Sequence, residues 1–469
     1  MSKGDYYVGK VASAPRLSVP DGYRVTRGWH AFAVLPRGAP TLLYWDGLES
    51  LPVRARPCLR LSIALDSRED VLLEAITLAS GRVVARLDIR QAHVFQPFEA
   101  PLSAQAAREI AQEGLGLRLV QGNAPLWLLH DPNGDAEPAL MPHLFFGTAL
   151  DRLTAFRQRL NSRASLQFFG WQEGCVLDGL QDMAEVGLLD AESAQQTIAA
   201  HFAHFFDAEG NLDYEDDFSQ PKRSVYGVEC TLPFAVLARR QPAHPALELA
   251  MRFWREARAT NGSVQDGEML TAEGSYTVAY PMAQIGVLRN EPSLIAAALE
   301  QLRARKALFE DEALALRLSA DGRRTFVNWA RAAAWYLLGL ARTLAILPDP
   351  PADLREEFAR AAQWAVRRQN QNGVWHTFVD APDVLPDNGG SAGIAAALAI
   401  GVKAGLLSPA MREPAARAAQ ALSNALTADG FLSGVAQVNK GGEALQRDDY
   451  RVISQFGMGL LAQLYAALV

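Results

Sequence analysis

Apolar and polar residues alternate with a period of two through the first third of the chain. Leu59, Leu61, Ile63 and Leu65 alternate with polar or small residues. Val83, Ala85, Leu87 and Ile89 do so again after a Ser80-Gly81 turn. Leu115, Leu117 and Leu119 repeat the pattern ahead of PLWLLH at Pro125 to His130. A strand buried on one face gives this spacing, and the Gly, Pro and Asp between the runs supply turns. The stretch is therefore predicted to form an antiparallel β-sandwich over residues 1–147. One segment breaks the alternation. SAQAAREIAQEG opens on a serine suited to cap a helix and ends at Gly114. No residue of this domain reads as catalytic. It could bind glycan, cover the mouth of a second domain or mediate dimerisation. Trp29, Trp45 and Trp127 suit either sugar stacking or the core.

Beyond about residue 150 the period becomes that of a helix. Long Ala/Leu-rich amphipathic segments, such as ASLQFFGWQEGCVLDGLQDMAEVG, HPALELAMRFWREARA and ADLREEFARAAQWAVRRQN, alternate with short polar loops. The loops share an element: a helix end, Asp or Asn with Gly, then an aromatic or extended stretch. It occurs as DAEGNLDY, TNGSVQDG, SADGRRTF, QNGVWHTF and TADGFLSG. An interval of about 50–60 residues marks a repeated supersecondary unit. Each unit is a helix pair and about six pairs fit, so residues 148–469 are predicted to form an (α/α)6 toroid. The fold class is multidomain, β followed by α, with function at the mouth where the Gly-containing loops gather.

Length and composition agree with two domains. The chain has 469 residues, half of them hydrophobic, and a net charge of -7. It contains no block of Lys and Arg, which argues against nucleic acid as a partner. Three widely spaced cysteines, Cys58, Cys175 and Cys230, suggest a reducing compartment and no disulfide framework. The N-terminal stretch has no apolar signal core and no run is long enough to span a bilayer. The expectation is a soluble cytoplasmic protein with no membrane partner; if it handles sugars, they arrive as imported fragments, and its oligomeric state stays open.

The richest candidate chemistry opens the apolar helix after Asn328. Trp329 and Trp335 flank Arg331. Indole rings stack on sugar faces, and a guanidinium offers a planar fork that fits a carboxylate. This reads as the floor of a pocket for an acidic sugar; the competing reading is two core indoles and an internal ion pair. Glu273 stands at the start of an expected inner helix. A carboxyl at a pocket mouth can have a raised pKa and act as general acid or base. Glu229 lies among Val228, Cys230 and Leu232, where an acid needs a partner or a substrate. Trp375 and His376 sit in the loop QNGVWHTFVD. Asp387 and Ser391 begin another expected inner helix, where N-capping is the simpler role. Trp171 faces a Gly-containing helix start. The loop VNKGGEALQRDDYRVISQFGMG carries Lys440, Arg447, Tyr450 and Arg451 and could close the pocket.

No phosphate-binding loop, dinucleotide fingerprint, zinc-type Cys/His spacing or calcium loop is present, and the acid-rich run Asp207 to Asp217 lacks the spacing of a calcium loop. No cofactor and no metal are expected.

Three blocks together resemble a known family. They are Trp329-Ala330-Arg331 with Trp335, GVWHTFVDAP at Gly373 to Pro382, and DNGGSAGIAAALAIGVKAGLL from Asp387. Over roughly residues 150–469 they resemble the unsaturated rhamnogalacturonyl hydrolases and unsaturated glucuronyl hydrolases, which are (α/α)6 barrels. The resemblance implies a glycoside hydrolase that removes a terminal, 4,5-unsaturated uronic acid from acidic oligosaccharides. It implies that Glu273 is the acid that protonates the double bond and that Glu229 is the second acid. Arg331, Trp329, Trp335, Trp375, His376, Asp387 and Ser391 lie in these blocks and are expected around the sugar; Trp171, read by itself, suits either a sugar platform or the core. Both acids are Glu where the family has Asp, and Arg331-Ala332-Ala333-Ala334-Trp335 stands where the family has Arg-Gly-Asn-Gly-Trp. A Glu pair also suits a saturated uronidase. A lyase or epimerase on the same fold and a non-catalytic glycan-binding protein are the other readings.

Overall fold

Eleven strands and one helix build the N-terminal region of the computed structural model, which describes residues 6–46, 57–133, 137–147, 151–207, 209–215 and 224–469. The strands are β1 (Tyr6–Val8), β2 (Lys10–Ser13), β3 (His30–Val34), β4 (Thr41–Tyr44), β5 (Cys58–Ser62) and β6 (Asp70–Thr77). They continue as β7 (Val83–Arg90), β8 (Pro97–Pro101), β9 (Leu115–Gln121), β10 (Leu126–His130) and β11 (His143–Phe145). All pairings are antiparallel. One sheet runs β1-β11-β5-β8, a second runs β2-β4-β9-β6-β7, and β3 pairs with β10. Along β7 the burial alternates as the sequence predicts. β6 lies between β7 and β9 and is buried almost throughout, so it carries no alternation. Its Glu74 is held by Arg86 at 3.0 Å. The interrupting helix α1 (Ala104–Glu113) forms where expected. Ser103 Oγ accepts from the Ala106 amide at 3.0 Å, and Gly114 takes φ 82 at the other end. Trp29, Trp45 and Trp127 are buried in the core.

The rest of the chain is helical. In order come α2 (Arg152–Leu160), α3 (Trp171–Glu185), α4 (Ala191–Phe205), α5 (Pro233–Arg240), α6 (Leu247–Glu256), α7 (Tyr280–Arg289) and α8 (Pro292–Arg305). They are followed by α9 (Ala330–Ala345), α10 (Ala352–Val366), α11 (Asn388–Lys403), α12 (Arg412–Asn424), α13 (Gly442–Arg447) and α14 (Gln455–Leu468). Six of them, α3, α5, α7, α9, α11 and α14, pack as successive neighbours, and α14 packs on α3, so the row closes. A second set lies outside: α4 on α3, α6 on α5, α8 on α7, α10 on α9, α12 on α11 and α2 on α14. The difference is legible in the side chains. α9 and α11 are apolar or small on nearly every face and almost wholly buried, whereas α6 and α12 bury one stripe. Where inner elements cross, glycine makes the approach. A Cβ at Gly339 would collide with the Ser275 backbone, and one at Gly459 with that of Cys175.

The five Gly-containing loops share one backbone turn. In each, an amide bonds the carbonyl four residues on, and a glycine amide bonds back to the first residue. The opening bonds are Asp207 to Asn211, Ala259 to Ser263, Ser319 to Arg323, Asn370 to Val374 and Thr427 to Phe431. The glycines, Gly210, Gly262, Gly322, Gly373 and Gly430, all lie between φ 79 and φ 90, a region that side chains disfavour. The repeat is thus a repeat of geometry as well as of sequence. The acid-rich run from Asp207 continues past residue 215 outside the described residues, and the boundary expected between 147 and 148 falls on residues 148–150, also outside them. Among the described residues no helix is long and apolar enough to cross a membrane.

A buried ion pair joins the strand-rich and helical regions. Arg60 of β5 grips Asp429 from the fifth repeated turn, and both side chains are almost fully buried. The Tyr6 hydroxyl donates to Asp429 at 2.9 Å, and Arg60 also reaches Glu99 at 2.7 Å. The Arg60 guanidinium holds the Asp429 carboxyl well below the usual carboxylate range, against burial that acts the other way. Its stabilisation is therefore present above the unfolded pKa and lost as pH falls through the folded one. Removing one partner of a buried pair costs about 3–5 kcal/mol. Asp429→Asn should lower the unfolding free energy by about that amount in a urea titration at pH 7, and by less at acid pH, where the wild type has begun to lose the same contribution.

Candidate active site

Glu273 is positioned from three sides. It follows the short strand Met269–Thr271, which pairs antiparallel with Arg317–Ser319 and sets Thr271 opposite Arg317. The Ala272 amide bonds Leu316 O at 2.8 Å. After Glu273 the chain runs through a π-turn, Ser275–Ala279, into α7; such turns widen a helix by one residue and recur at functional sites. Behind the segment lies Arg305, fully buried. Its guanidinium donates to Thr271 O at 2.9 Å, Val264 O at 2.8 Å and Gln301 O at 3.0 Å. Gly274 leaves room for it; a Cβ there would strike it. Burial pulls Arg305 down to about 9, and the nearby Glu273 acts in the other direction.

Glu229 comes from a 3-10 turn, Val228–Thr231, just ahead of α5. The Thr231 hydroxyl donates to Thr277 O of the π-turn and ties the two acid-bearing segments together. Glu273 is 4% exposed and Glu229 is half-buried. Burial raises the Glu273 carboxyl to about 8; the Glu229 charge adds to the rise and Arg317 opposes it. Glu229 is raised as well, first by burial, with Lys440, Arg317 and Arg68 opposing and Asp266 adding. The arrangement is a coupled pair of carboxyls in a partly dry space with cations around it.

A cavity of about 30 Å³ opens beside Glu229. Trp171 and Lys440 line it from the helical region, and Asp66, Arg68 and His93 from the strand-rich region. It has room for roughly one water, so a sugar ring enters only when this wall moves. Trp171 heads an aromatic column. Its ring lies 5.1 Å from Trp335, Trp335 stacks on Tyr276 at 6.1 Å, and Tyr276 on Tyr280 at 5.9 Å. The Tyr276 hydroxyl donates to Asp178 at 2.6 Å. Among the described residues no group of three or more His, Cys, Asp or Glu is placed to hold a metal ion.

Several residues expected around the sugar make internal contacts. Arg331 is fully buried; its Nε donates to Asp387 at 2.8 Å and Nη2 to Ala436 O, leaving only Nη1 without a hydrogen-bond partner among the described residues. Of the two readings of Arg331, a fork open to a carboxylate and an internal ion pair, the side chain adopts the ion pair, because it turns back toward the start of α11. Asp387 caps α11 through the Gly389 amide at 3.0 Å and accepts the Ala436 amide at 2.9 Å. Ser391 Oγ accepts the Trp375 amide at 2.9 Å. Trp375 is a core residue whose Nε1 donates to Ala365 O at 2.7 Å. His376 is half-buried, its ring bonded to Val384 O at 2.6 Å within its own loop. Trp329 caps α9, with Nε1 on Gln446 at 3.2 Å. Trp335 lies within the column, and only Trp171 of the four indoles lines the cavity. Glu229 and Glu273 are brought together, and the Arg317 charge acts on both.

The larger cavity is at the other end of the ring of helices. It measures about 560 Å³ and is lined by the C-terminal ends of all six inner helices. Its charges are already satisfied: Arg342 and Arg239 bind Asp182, Arg239 also binds Glu185, and Lys403 reaches Ala466 O at 3.0 Å. Volume favours that end; the acid pair and the positive N-terminal ends of the helices favour the smaller cavity for an anionic substrate.

Comparison with known proteins agrees with this architecture. The model of the family described as Glycosyl Hydrolase Family 88 matches residues 154–468. The unsaturated rhamnogalacturonyl hydrolase YesR of Bacillus subtilis is 29% identical over 144 residues, 29% of this chain, and the chain spans 39% of that relative's length. A glycoside hydrolase of family 105 from C. acetobutylicum superposes with a TM-score of 0.58 at 19% identity, covering 69% of this chain and all of the other. The unsaturated glucuronyl hydrolase of Bacillus sp. GL1 gives 0.51 at 17% identity, covering 68% of this chain and 94% of the other. At these identities the structures speak for the fold alone. The family match covers two thirds of the chain, and the chain belongs to Glycosyl Hydrolase Family 88.

Proposed function

We propose that this protein is a hydrolase that removes a terminal unsaturated uronic acid from acidic oligosaccharides. In this reading the helices form an (α/α)6 toroid, the N-terminal sheets form a β-sandwich over its mouth, and the enzyme works in the cytoplasm. The observation that carries the reading is the Glu273–Glu229 pair beside Arg317. A carboxyl held up to about 8 is still protonated at neutral pH, as proton donation to an electron-rich double bond requires. Glu273 delivers its proton to one carbon of that bond. Water adds to the other carbon and returns a proton to the Glu273 carboxylate. The resulting hydrate opens and releases the rest of the chain as an alcohol. Arg317 and Lys440, the cations that face Glu229, hold the uronate carboxylate, and Trp171 stacks on the ring.

The test is an ultraviolet assay on lyase-generated unsaturated disaccharides, run beside nitrophenyl glucuronide and galacturonide. Loss of the double-bond absorbance is the expected result. Nitrophenol release without that loss would replace the reading with a saturated uronidase. In the same assay Glu273→Gln should lower kcat by about 10²–10⁴-fold, the usual worth of a general acid, with binding retained. The pH dependence follows from the sign of the shift. Glu273 binds its proton more tightly when folded, so kcat/KM should stay level below about 8 and fall about tenfold per pH unit above it. The Glu273 contribution to stability is fully present below the unfolded pKa and lost as pH rises through about 8. Glu273→Gln should therefore flatten the decline of melting temperature between pH 6 and pH 9.

A further inference from the structure

The match to the family begins at residue 154, yet part of the cavity wall comes from before it. His93 belongs to the connection between β7 and β8. Two residues of that connection take left-handed backbone, Gln91 at φ 49 and Phe95 at φ 67, a conformation that persists only where the surroundings impose it. The Phe95 amide bonds Ile63 O at 2.8 Å, and Gln455 at the start of α14 donates to Phe95 O at 2.9 Å. The Phe95 ring packs edge-on against Trp29 and His204. Asp66 accepts the Val94 amide at 2.8 Å and pairs with Arg68 at 2.6 Å, so Arg68 is tied to the backbone beside His93.

The imidazole itself is half-satisfied. Nδ1 lies 3.0 Å from Val94 O, a carbonyl that can only accept, so Nδ1 carries the hydrogen. Nε2 is buried and has no hydrogen-bond partner among the described residues. Burial, with Lys440 and Arg68 adding and Asp66 opposing, pulls the ring down to about 4, so at neutral pH Nε2 presents a lone pair. A buried acceptor left unmatched is costly, and what matches it is a donor. A uronate carboxylate cannot supply one; a sugar hydroxyl can.

We propose that the strand-rich region is part of the substrate site, and that His93 Nε2 accepts a hydrogen bond from a hydroxyl of the sugar bound beside Glu229 and Trp171. This rests on the hydrolase reading given above. His93 is thus a specificity residue that selects for a free hydroxyl on the face of the sugar turned toward the strand-rich region. Arg68, held by Asp66 at the rim, lines the same wall.

The experiment compares full-length wild type, His93→Ala and His93→Gln on the unsaturated disaccharides and on analogues in which single hydroxyls of the unsaturated sugar are replaced by hydrogen. Wild type should lose about tenfold in kcat/KM on one deoxy analogue, the size of one hydrogen bond. His93→Ala should lose about the same on the parent disaccharide, chiefly through KM, and lose nothing further on that analogue. His93→Gln, which keeps an acceptor oxygen, should recover part of the loss. Equal losses for His93→Ala on every analogue, or an unchanged KM, would overturn the proposal. Should His93→Ala not fold, the imidazole nitrogen resonances of His93 in Glu273→Gln decide the matter. A shift of the Nε2 signal on adding the disaccharide supports the bond, and an unmoved signal overturns it. Wild type that turns over no unsaturated disaccharide would instead count against the hydrolase reading.

Discussion

Keeping the Glu273 carboxyl out of water beside a second, half-buried carboxyl, Glu229, is the constraint around which the helical region is arranged. An ionised carboxylate in such a place costs several kcal/mol unless it is compensated. Glu273 meets this by retaining its proton, and the local structure enforces that solution. Strand register sets Arg317 close enough to moderate the shift without forming a direct ion pair that would ionise the acid. Arg305, whose hydrogen bonds go to uncharged oxygens, locks the backbone on the other side. The π-turn and Gly339 let α9 press against the segment from within the ring.

The repeated turn links this site to the N-terminal region. Five copies share one geometry, but two have grown contacts that the others lack. The first leads to Asp213 and Glu215, which bind Arg24. The fifth contains Asp429, which binds Arg60. Through these and the Tyr450–Arg90 contact at 4.7 Å, the strand-rich region is held against the helical region. Residues of both regions line the cavity of about 30 Å³.

Much of this architecture was legible in the chain because it rests on local rules. The alternation of β7, the caps of α1 and the Gly-containing loops all read directly, since each depends on neighbours within a few residues. Glu273 was legible from its place at a helix start. β6 was less so, because burial on both faces erases the alternation that marks a strand. Arg331 misled for a related reason. A guanidinium between two indoles looks the same whether it faces a ligand or a capping carboxylate 56 positions away, and Asp387 is that carboxylate. Trp375 and Ser391 likewise belong to the packing beneath α11. His93, Asp66 and Arg68 gave no signal, because their place in the cavity wall depends on the packing of two regions distant in sequence. The nearest hint was a histidine in the apolar run AHVF.

The most direct test of where the chemistry happens is a crystal structure of full-length Glu273→Gln with an unsaturated disaccharide bound. The unsaturated ring is expected between Trp171 and Glu229, with its carboxylate on Arg317 or Lys440 and the strand-rich wall displaced to admit it. A sugar seated instead in the 560 Å³ cavity at the C-terminal ends of the inner helices, with the Glu229 side empty, would contradict it.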